Sequence, residues 1–254
     1  MNLFKLFLIV SFLTGCASAG GGSEGTPQQD TTRAQAIARI HTELAASYFE
    51  RSQYGVALQE VGVALQANSD FAPAYNMRAL IRMALHEDDK ADEDFQHSLK
   101  LDGTSSDTHN NYGWFLCQRG HTKEAIKQYQ AALDNPLYAT PELAYANMGM
   151  CYKKAGSMKE AESNLQRALV LHPDMPNALY GLADLSYSKG DFAAAKSYFR
   201  RFSQGASDLN AEQLWLAVRI ERKMHDLNSE ASYALQLRKN FPDSREVQLM
   251  FQGQ

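Results

Sequence analysis

The sequence predicts an all-α protein in which about six copies of a two-helix unit stack into an elongated solenoid. Three observations support this fold class. Apolar residues recur at helical spacing from Arg33 onward. Small residues return at a nearly constant interval of 34 residues along the chain. Glycines recur where the first helix of a unit must turn into the second, a place that needs a positive φ angle.

The N-terminus predicts a lipoprotein signal peptide over residues 1–15. Lys5 precedes an almost wholly apolar run, residues 6–13, which is too short for a membrane span of about 20 residues. The run ends in Leu13-Thr14-Gly15-Cys16, which resembles the bacterial lipobox. That resemblance implies cleavage before Cys16 and acylation of its sulfur and amine. The alternative is an ordinary signal peptide cleaved within residues 17–19, which would release a soluble periplasmic protein.

The residues after the lipobox predict a tether and a destination. Ala17 stands where many Gram-negative lipoproteins retained at the inner membrane carry Asp, so the resemblance implies the periplasmic face of the outer membrane. Residues 16–31 are rich in Gly and Ser and predict a flexible linker about 20 Å from end to end. Acyl chains on Cys16 would anchor the protein without a transmembrane helix.

Residues of this linker match the patterns of two catalytic motifs. Gly21–Gly25 fits G-x-S-x-G, and Gly20–Gly25 fits G-x-G-x-x-G. Both motifs require a strand before and a helix after the turn that they form. Neither flank is predicted here, so we expect neither a nucleophile nor a nucleotide site.

Three positions define the repeat from Arg33 onward. A small residue occupies the first position, at Ala45, Ala79, Gly113, Gly149, Ala183 and Ala217. A second small position follows at Ala57, Ala91, Ala125, Ala161, Ala195 and Ser229. A bulky position follows that, at Val61, Phe95, Tyr129, Leu165, Phe199 and Tyr233. Small residues would let paired helices approach closely, and the bulky residue would fill the space between neighbours.

This pattern resembles the tetratricopeptide repeat, a helix-turn-helix unit of 34 residues. The resemblance implies a right-handed α-solenoid over residues 32–254, with an inner face lined mainly by the first helices. We expect repeats at about 38–71, 72–105, 106–141, 142–175, 176–209 and 210–243. The sixth is degenerate, as a capping repeat should be. Two extra residues lengthen the loop between repeats three and four.

Composition excludes several function classes. The chain is globular in composition, with 44% hydrophobic and 21% charged residues. Its net charge is −4, and becomes −5 (24 basic against 29 acidic residues) once residues 1–15 are removed with Lys5. Such a balance gives no electrostatic case for binding nucleic acid. The seven histidines are scattered over different repeats, so we expect no catalytic centre, metal site, cofactor or small-molecule substrate.

Two further features of the sequence are an acidic run in the second repeat and a pair of cysteines in repeats three and four. The carboxylates between Glu87 and Asp94 lack the spacing of a calcium loop, so we interpret them as a solvated helix start favoured by the helix dipole. Cys117 and Cys151 lie two places apart in register on neighbouring first helices. We expect them to point in different directions and to be separate thiols, with a disulfide as the alternative.

The candidate binding surface is the inner face of the first helices, which the repeat period places at twelve residues. Many are apolar or aromatic where a solvated array could carry charge, and contiguous apolar surface marks partner sites. The set is Phe49, Asn76, Leu80, Met83, Asn110, Trp114, Ala146, Met150, Lys153, Tyr180, Asp184 and Tyr187. The alternative is that Trp114, Leu80 and Met150 pack as core between repeats.

The polar residues of this surface include two neighbouring asparagines, whose role the sequence does not decide, and one base. Asn110 or Asn111 could bond a peptide backbone in the groove, or both could make bonds at the helix start or between repeats. Lys153 is the only clear inward-facing base, so the pattern does not resemble the basic carboxylate clamp of chaperone-binding repeats.

The lipobox, the linker, the repeats and the stretch Asn110–Cys117, N-N-Y-G-W-F-L-C, together resemble the type IV pilus biogenesis and stability lipoproteins of the PilF/PilW pilotin type. The resemblance implies a non-enzymatic protein at the outer membrane that binds the pilus secretin and promotes its localisation and multimerisation. A periplasmic scaffold for another envelope or cell-wall complex is the second hypothesis. An enzyme is the third, and the position of the G-x-S-x-G match in a linker argues against it.

Overall fold

The computed structural model describes the backbone of residues 27–252 and the side chains from Thr31 onward. This part of the chain forms only α-helices, which confirms the all-α solenoid. The helices are α1 Pro27–Glu50, α2 Tyr54–Ala67, α3 Ala72–Ala84, α4 Asp88–Leu101, α5 Ser106–Gln118, α6 Thr122–Leu133, α7 Pro141–Lys154, α8 Met158–Leu171, α9 Pro176–Ser188, α10 Phe192–Gly205, α11 Ala211–Lys223, α12 Leu227–Asn240 and α13 Arg245–Phe251.

The N-terminal predictions are largely outside this range. The signal peptide, Cys16 and the motif matches in residues 20–25 lie outside the described residues. The linker prediction needs one correction, because α1 begins at Pro27 and so takes in residues that we assigned to the flexible segment 16–31. Within residues 27–252, no helix combines the length and apolarity that crossing a bilayer requires.

Helices α1 to α12 form six antiparallel pairs. In each pair the first helix packs most extensively on its own second helix. The first helices α1, α3, α5, α7 and α9 also pack side by side, each against the next. The second helix of each pair contacts the first helix of the following pair. These contacts bury a series of core clusters between neighbouring units, which no single unit could do alone.

Each turn within a pair is closed by a residue with positive φ. The six residues are Ser52, His86, Gly120, Gly156, Gly190 and His225, with φ between 57° and 83°. Around Gly120, the amide of Gly120 donates to the carbonyl of Cys117, and that of His121 donates to Leu116. The same two bonds recur at all six turns and form a Schellman motif. The predicted role of the glycines is confirmed, and the structure adds three turns with other residues.

The small and bulky positions pack as predicted in the first five repeats. Ala45, Ala79 and Ala183 are fully buried. A Cβ at Gly113 would lie 2.8 Å from Tyr129 Cε1, and one at Gly149 would lie 2.7 Å from Leu165 Cγ. The bulky residue of the second helix therefore occupies the space that the first helix leaves open.

The register predicted for repeat six is wrong by one residue. In repeats one to five the small position lies seven residues before the positive-φ residue, as Gly149 does before Gly156. Counting back seven from His225 reaches Val218, which packs with Leu237 of α12. Ala217 faces the preceding repeat instead, in a cluster with Phe199. By the same count Glu230, paired with Arg222, takes the place assigned to Ser229.

A thirteenth helix closes the C-terminal end of the array. α13 packs on α11 and α12, and its Val247 is 5% exposed in a cluster with Trp215 and Leu237. Ser244 caps α13 by accepting a hydrogen bond from the amide of Val247. The cap that we assigned to repeat six alone is thus completed by a further helix.

The prediction that Cys117 and Cys151 are separate thiols is wrong, because they form a disulfide between repeats three and four. Their Cα atoms are 5.8 Å apart, within the usual range. A two-place offset in register rotates a side chain by about 200° around a helix. Side-by-side parallel helices must present opposite sides to each other, so this offset makes the two sulfurs meet.

The acidic run is only partly a solvated helix start. Asp88 and Asp89 do lie in the first turn of α4. Asp94, however, is 3% exposed and accepts hydrogen bonds from Arg78 Nε at 2.9 Å and from Arg82 Nη1 at 2.7 Å. It is a buried charge paired with two bases, and it ties α4 to α3.

Replacing Gly149 with Ala tests the close approach within a pair. The added Cβ would meet Leu165 Cγ at 2.7 Å and the Ala161 carbonyl oxygen at 3.1 Å. We expect a loss of about 1–3 kcal/mol in the free energy of unfolding, measured by urea denaturation. Gly62→Ala in α2 is the matched control, because a Cβ there meets nothing within 4 Å. That variant should be neutral or more stable by up to about 1 kcal/mol, and equal destabilisation of both would contradict the packing argument.

Candidate functional site

The groove of the array is lined by three positions of each first helix, which we call the groove positions. They lie three, six and ten residues before the positive-φ residue of the turn, as Cys117, Trp114 and Asn110 do before Gly120. Spacings of three, four and seven residues put these side chains on one helix face. The residues of the predicted set occupy these same positions.

The middle of the groove contains a cavity of about 530 Å³ between α5, α7 and α9. The structure brings four of the predicted residues together here, Trp114, Met150, Lys153 and Asp184. Asn147 and Asn177, which the sequence analysis did not select, line the same cavity. The disulfide of Cys117 and Cys151 also lines it and holds two of its helices together.

Trp114 is the most accessible aromatic residue of this cavity. Its side chain is 39% exposed, whereas Met150 is half-buried against Leu182 and the other core residues of α7 to α9. Leu80 lies between the cores of the first and third repeats. The groove interpretation therefore holds for Trp114, which faces the groove. The core interpretation holds for Leu80 and Met150, which mainly pack between repeats.

Three residues of the predicted set are wrong as partner contacts, because they are buried. Met83 is 8% exposed, Asn110 is 6% exposed, and Ala146 is fully buried. Asn110 and Ala146 lie ten residues before their turns and face the crevice between neighbouring first helices, where short side chains are covered by the next repeat. Met83 lies three residues before His86 and packs into the core cluster that contains Phe95.

The open question about the asparagines is settled in favour of bonds between repeats. Asn111 Nδ2 donates to Asn76 Oδ1 at 3.2 Å, and Asn147 Nδ2 donates to Asn110 Oδ1 at 3.1 Å. The two bonds occupy equivalent places in successive repeats. They form an asparagine ladder that joins α3 to α5 and α5 to α7.

Aromatic side chains at the remaining groove positions pack sideways on their own repeats. The Phe49 ring lies 5.6 Å from Tyr54, Tyr180 lies 5.4 Å from Phe202, and Tyr187 lies 5.5 Å from Phe192. Burial raises the pKa of Tyr180, and the nearby Glu212 and Asp184 carboxylates raise it further. All three rings are half-buried, so each keeps an accessible edge along the groove.

The groove positions of α11 are not in the set predicted from the sequence. They are Trp215, Arg219 and Arg222, at ten, six and three residues before His225. The constant period of the first five repeats points instead to Leu214, Val218 and Glu221, which are buried. The signal that could have found them is the turn itself, since His225 stands one residue later than the period requires.

Charges along the groove form a chain across three helices. Lys153 Nζ pairs with Asp184 Oδ2, and Arg219 Nη2 lies 3.9 Å from Asp184 Oδ1. Lys153 is thus not the only inward-facing base, and that prediction is wrong. Within residues 31–252, no group of three or more His, Cys, Asp or Glu side chains is placed to hold a metal ion.

Comparison with known proteins identifies the repeats. Residues 95–127 and 152–208 match two tetratricopeptide repeat families. The type IV pilus assembly protein PilF of Pseudomonas aeruginosa is 28% identical over 243 residues, which are 96% of this chain and 95% of PilF.

Two solved structures extend this similarity along the array. The crystal structure of PilW, described as a widely conserved type IV pilus biogenesis factor, is 33% identical with a TM-score of 0.75, over 85% of this chain and 98% of PilW. The structure of Pseudomonas aeruginosa PilF is 26% identical with a TM-score of 0.79, over 87% of this chain and all of that one.

The asparagine ladder predicts different losses in the free energy of unfolding for two variants. In Asn147→Ala the Asn110 oxygen, on a residue only 6% exposed, would lose its donor, and we expect the free energy of unfolding to fall by about 1–3 kcal/mol. In Asn111→Ala the oxygen left behind is on the half-buried Asn76, which can turn to water, so the loss should be smaller. Chemical denaturation measures both, and a larger loss for Asn111→Ala would contradict the ladder.

Proposed function

This chain belongs to the tetratricopeptide-repeat family of type IV pilus biogenesis proteins that includes PilW and PilF, and from that membership we propose that it acts as a pilotin. In this proposal it binds the pilus secretin through the groove of the first helices. It thereby promotes localisation of the secretin to the outer membrane and its multimerisation there. The role is one of binding, with no catalytic step.

The observation that carries the proposal is the exposed Trp114 in the groove cavity. An exposed tryptophan beside Met150 and the disulfide is a favoured anchor for a partner segment. The cavity is shaped by three repeats and fixed by a disulfide, so its geometry is set before any partner arrives. Binding to a preformed groove avoids much of the ordering cost of association.

The proposed location is the periplasmic face of the outer membrane, with acyl chains on Cys16 as the anchor. The disulfide of Cys117 and Cys151 supports an extracytoplasmic location, because disulfides persist in the periplasm and are rare in the cytosol. Lipidation itself is supported by the sequence Leu13-Thr14-Gly15-Cys16. A scaffold for another envelope or cell-wall complex would use the same groove, and the two roles differ only in the partner that is captured.

Replacing Trp114 with Ala should weaken binding of the secretin encoded by the same genome. Losing one central aromatic anchor costs about 1.4–2 kcal/mol, which corresponds to a 10- to 30-fold rise in Kd. The measurements are binding of the purified proteins and the amount of secretin multimer in outer-membrane fractions. Phe251→Ala is the matched control, since Phe251 is also an exposed aromatic residue, 72% exposed, but lies in α13 away from the cavity. Unchanged binding and multimer levels in the Trp114 variant would exclude it as the anchor.

Replacing Cys16 with Ser should leave the repeats folded and remove the anchor. The variant should retain the helical circular-dichroism spectrum and the unfolding midpoint of the native chain, yet lose its outer-membrane fractionation. Stable anchoring depends on the acyl chains, because the free energy comes from about 0.8 kcal/mol per buried CH₂. Normal outer-membrane fractionation of the variant would show that lipidation of Cys16 is not the anchor.

A further inference from the structure

We propose that the end of the groove formed by Lys153, Asp184, Tyr187, Trp215 and Arg219 binds a carboxylate of the partner segment, with Arg219 as the main contact. The proposal rests on the proposed function in using the same groove, and it adds the chemistry of the bound segment. We call these five residues the basic end of the groove.

Arg219 is held in place by aromatic rings. Its Cζ atom lies 4.8 Å from the ring centroid of Tyr187 and 5.7 Å from that of Trp215. Trp215 is itself 5% exposed and cannot move without disturbing the core of repeat six. A guanidinium held over aromatic rings keeps its N–H donors free to bond a carboxylate in a fork geometry.

The same guanidinium is poorly satisfied within the chain. It makes no hydrogen bond among the described residues, and its Nε atom is buried without a partner. The nearest carboxylate oxygen, Asp184 Oδ1, is 3.9 Å from Nη2. Arg78 shows the contrast, since it donates two hydrogen bonds of 2.9 and 2.7 Å to Asp94. A half-buried arginine with unused donors is a site where an added carboxylate gains charge-assisted hydrogen bonds.

The local charge favours an anion. Within the group of ion-paired side chains, Lys153 and Arg219 share one carboxylate, Asp184, which leaves an excess of one positive charge in that group. Arg222 adds none, because Glu230 accepts a hydrogen bond of 2.9 Å from it. The next carboxylate along α11, Glu212, lies seven residues before Arg219, about 10 Å along the helix axis, and is hydrogen-bonded to Tyr180 instead of Arg219. This excess stands out in a chain whose net charge is −4.

The side chains around Arg219 determine which other groups the bound peptide carries beside its carboxylate. Tyr187 is half-buried and lies beside Arg219, whereas Trp215 is buried and supports it. Asp184, which lies 3.9 Å from Arg219, also lines the cavity that contains Trp114. The occupant that fits is an extended peptide with one carboxylate next to apolar side chains. That carboxylate is an acidic side chain or the C-terminus of the segment, and the two sources share the same chemistry.

Synthetic peptides can test this without knowing the partner. The full-length chain, purified in detergent, is probed with positional-scanning pools of 10-residue peptides, one series with a free C-terminus and one amidated. We expect retained peptides to be enriched in Asp or Glu in both series, or to require the free C-terminus. The first result assigns a side-chain carboxylate and the second a terminal one. Retention without either preference, or no retained peptide, would overturn the proposal.

A double-mutant cycle then assigns the contact to Arg219. Arg219→Gln, and Asp→Asn or Glu→Gln in the peptide, should each weaken binding by about tenfold, and the combined change should cost no more than either. Arg219→Lys, which keeps the charge but loses the fork, should fall in between. Arg167→Gln is the matched control, because Arg167 lies 5.3 Å over Tyr145 from the second helix α8, outside the groove. Unfolding midpoints verify that each variant is folded.

The outcomes separate this inference from the pilotin role. Additive losses, or equal binding to native and Arg219→Gln chains, would overturn the carboxylate site whether or not the secretin binds. A carboxylate preference that depends on Arg219, in a chain that does not bind the secretin, would support the site and reject the secretin as its partner.

Discussion

The array depends on the close approach of the two helices within each repeat. At Gly113 and Gly149 the first helix carries no side chain, and Tyr129 and Leu165 of the second helix fill that space. Alanine serves the same purpose at Ala45, Ala79 and Ala183. This contact sets the angle of each pair, and the pairs in turn set the groove. The six Schellman turns make the geometry repeat, because each ends the first helix and starts the second in the same way.

Polar groups inside the stack fix the position of each helix along its neighbour. The asparagine ladder and the Asp94 ion pairs are all buried or half-buried, and each joins two specific helices. Buried polar groups must be satisfied, so a shift of one helix along its neighbour would cost the desolvation of both partners. The disulfide adds a covalent link at the same level as the groove cavity. The centre of the groove is therefore the most constrained part of the array.

The chemistry of the proposed binding surface varies along the groove of the first helices. Its middle contains Trp114 and Met150 together with the Lys153–Asp184 ion pair, and Arg219 lies beyond Asp184 on α11. A partner segment that lies along the first helices would meet an anchor site for an apolar side chain and then a site for a carboxylate. Two different contacts at a fixed distance give direction as well as affinity. In the proposed function, this arrangement suits the capture of one defined segment of a partner protein.

The sequence by itself determined the fold class and five of the six registers, because a 34-residue period fixes which side of each helix is buried. It also yielded Trp114 as a groove residue. Only the tertiary structure decided the rest, because those features depend on neighbouring helices. Cys117 and Cys151 meet because parallel helices present opposite sides to each other. Asn110 is covered by the next repeat. Arg219 takes a groove position, with Trp215 buried beside it, because the last turn falls one residue late, at His225.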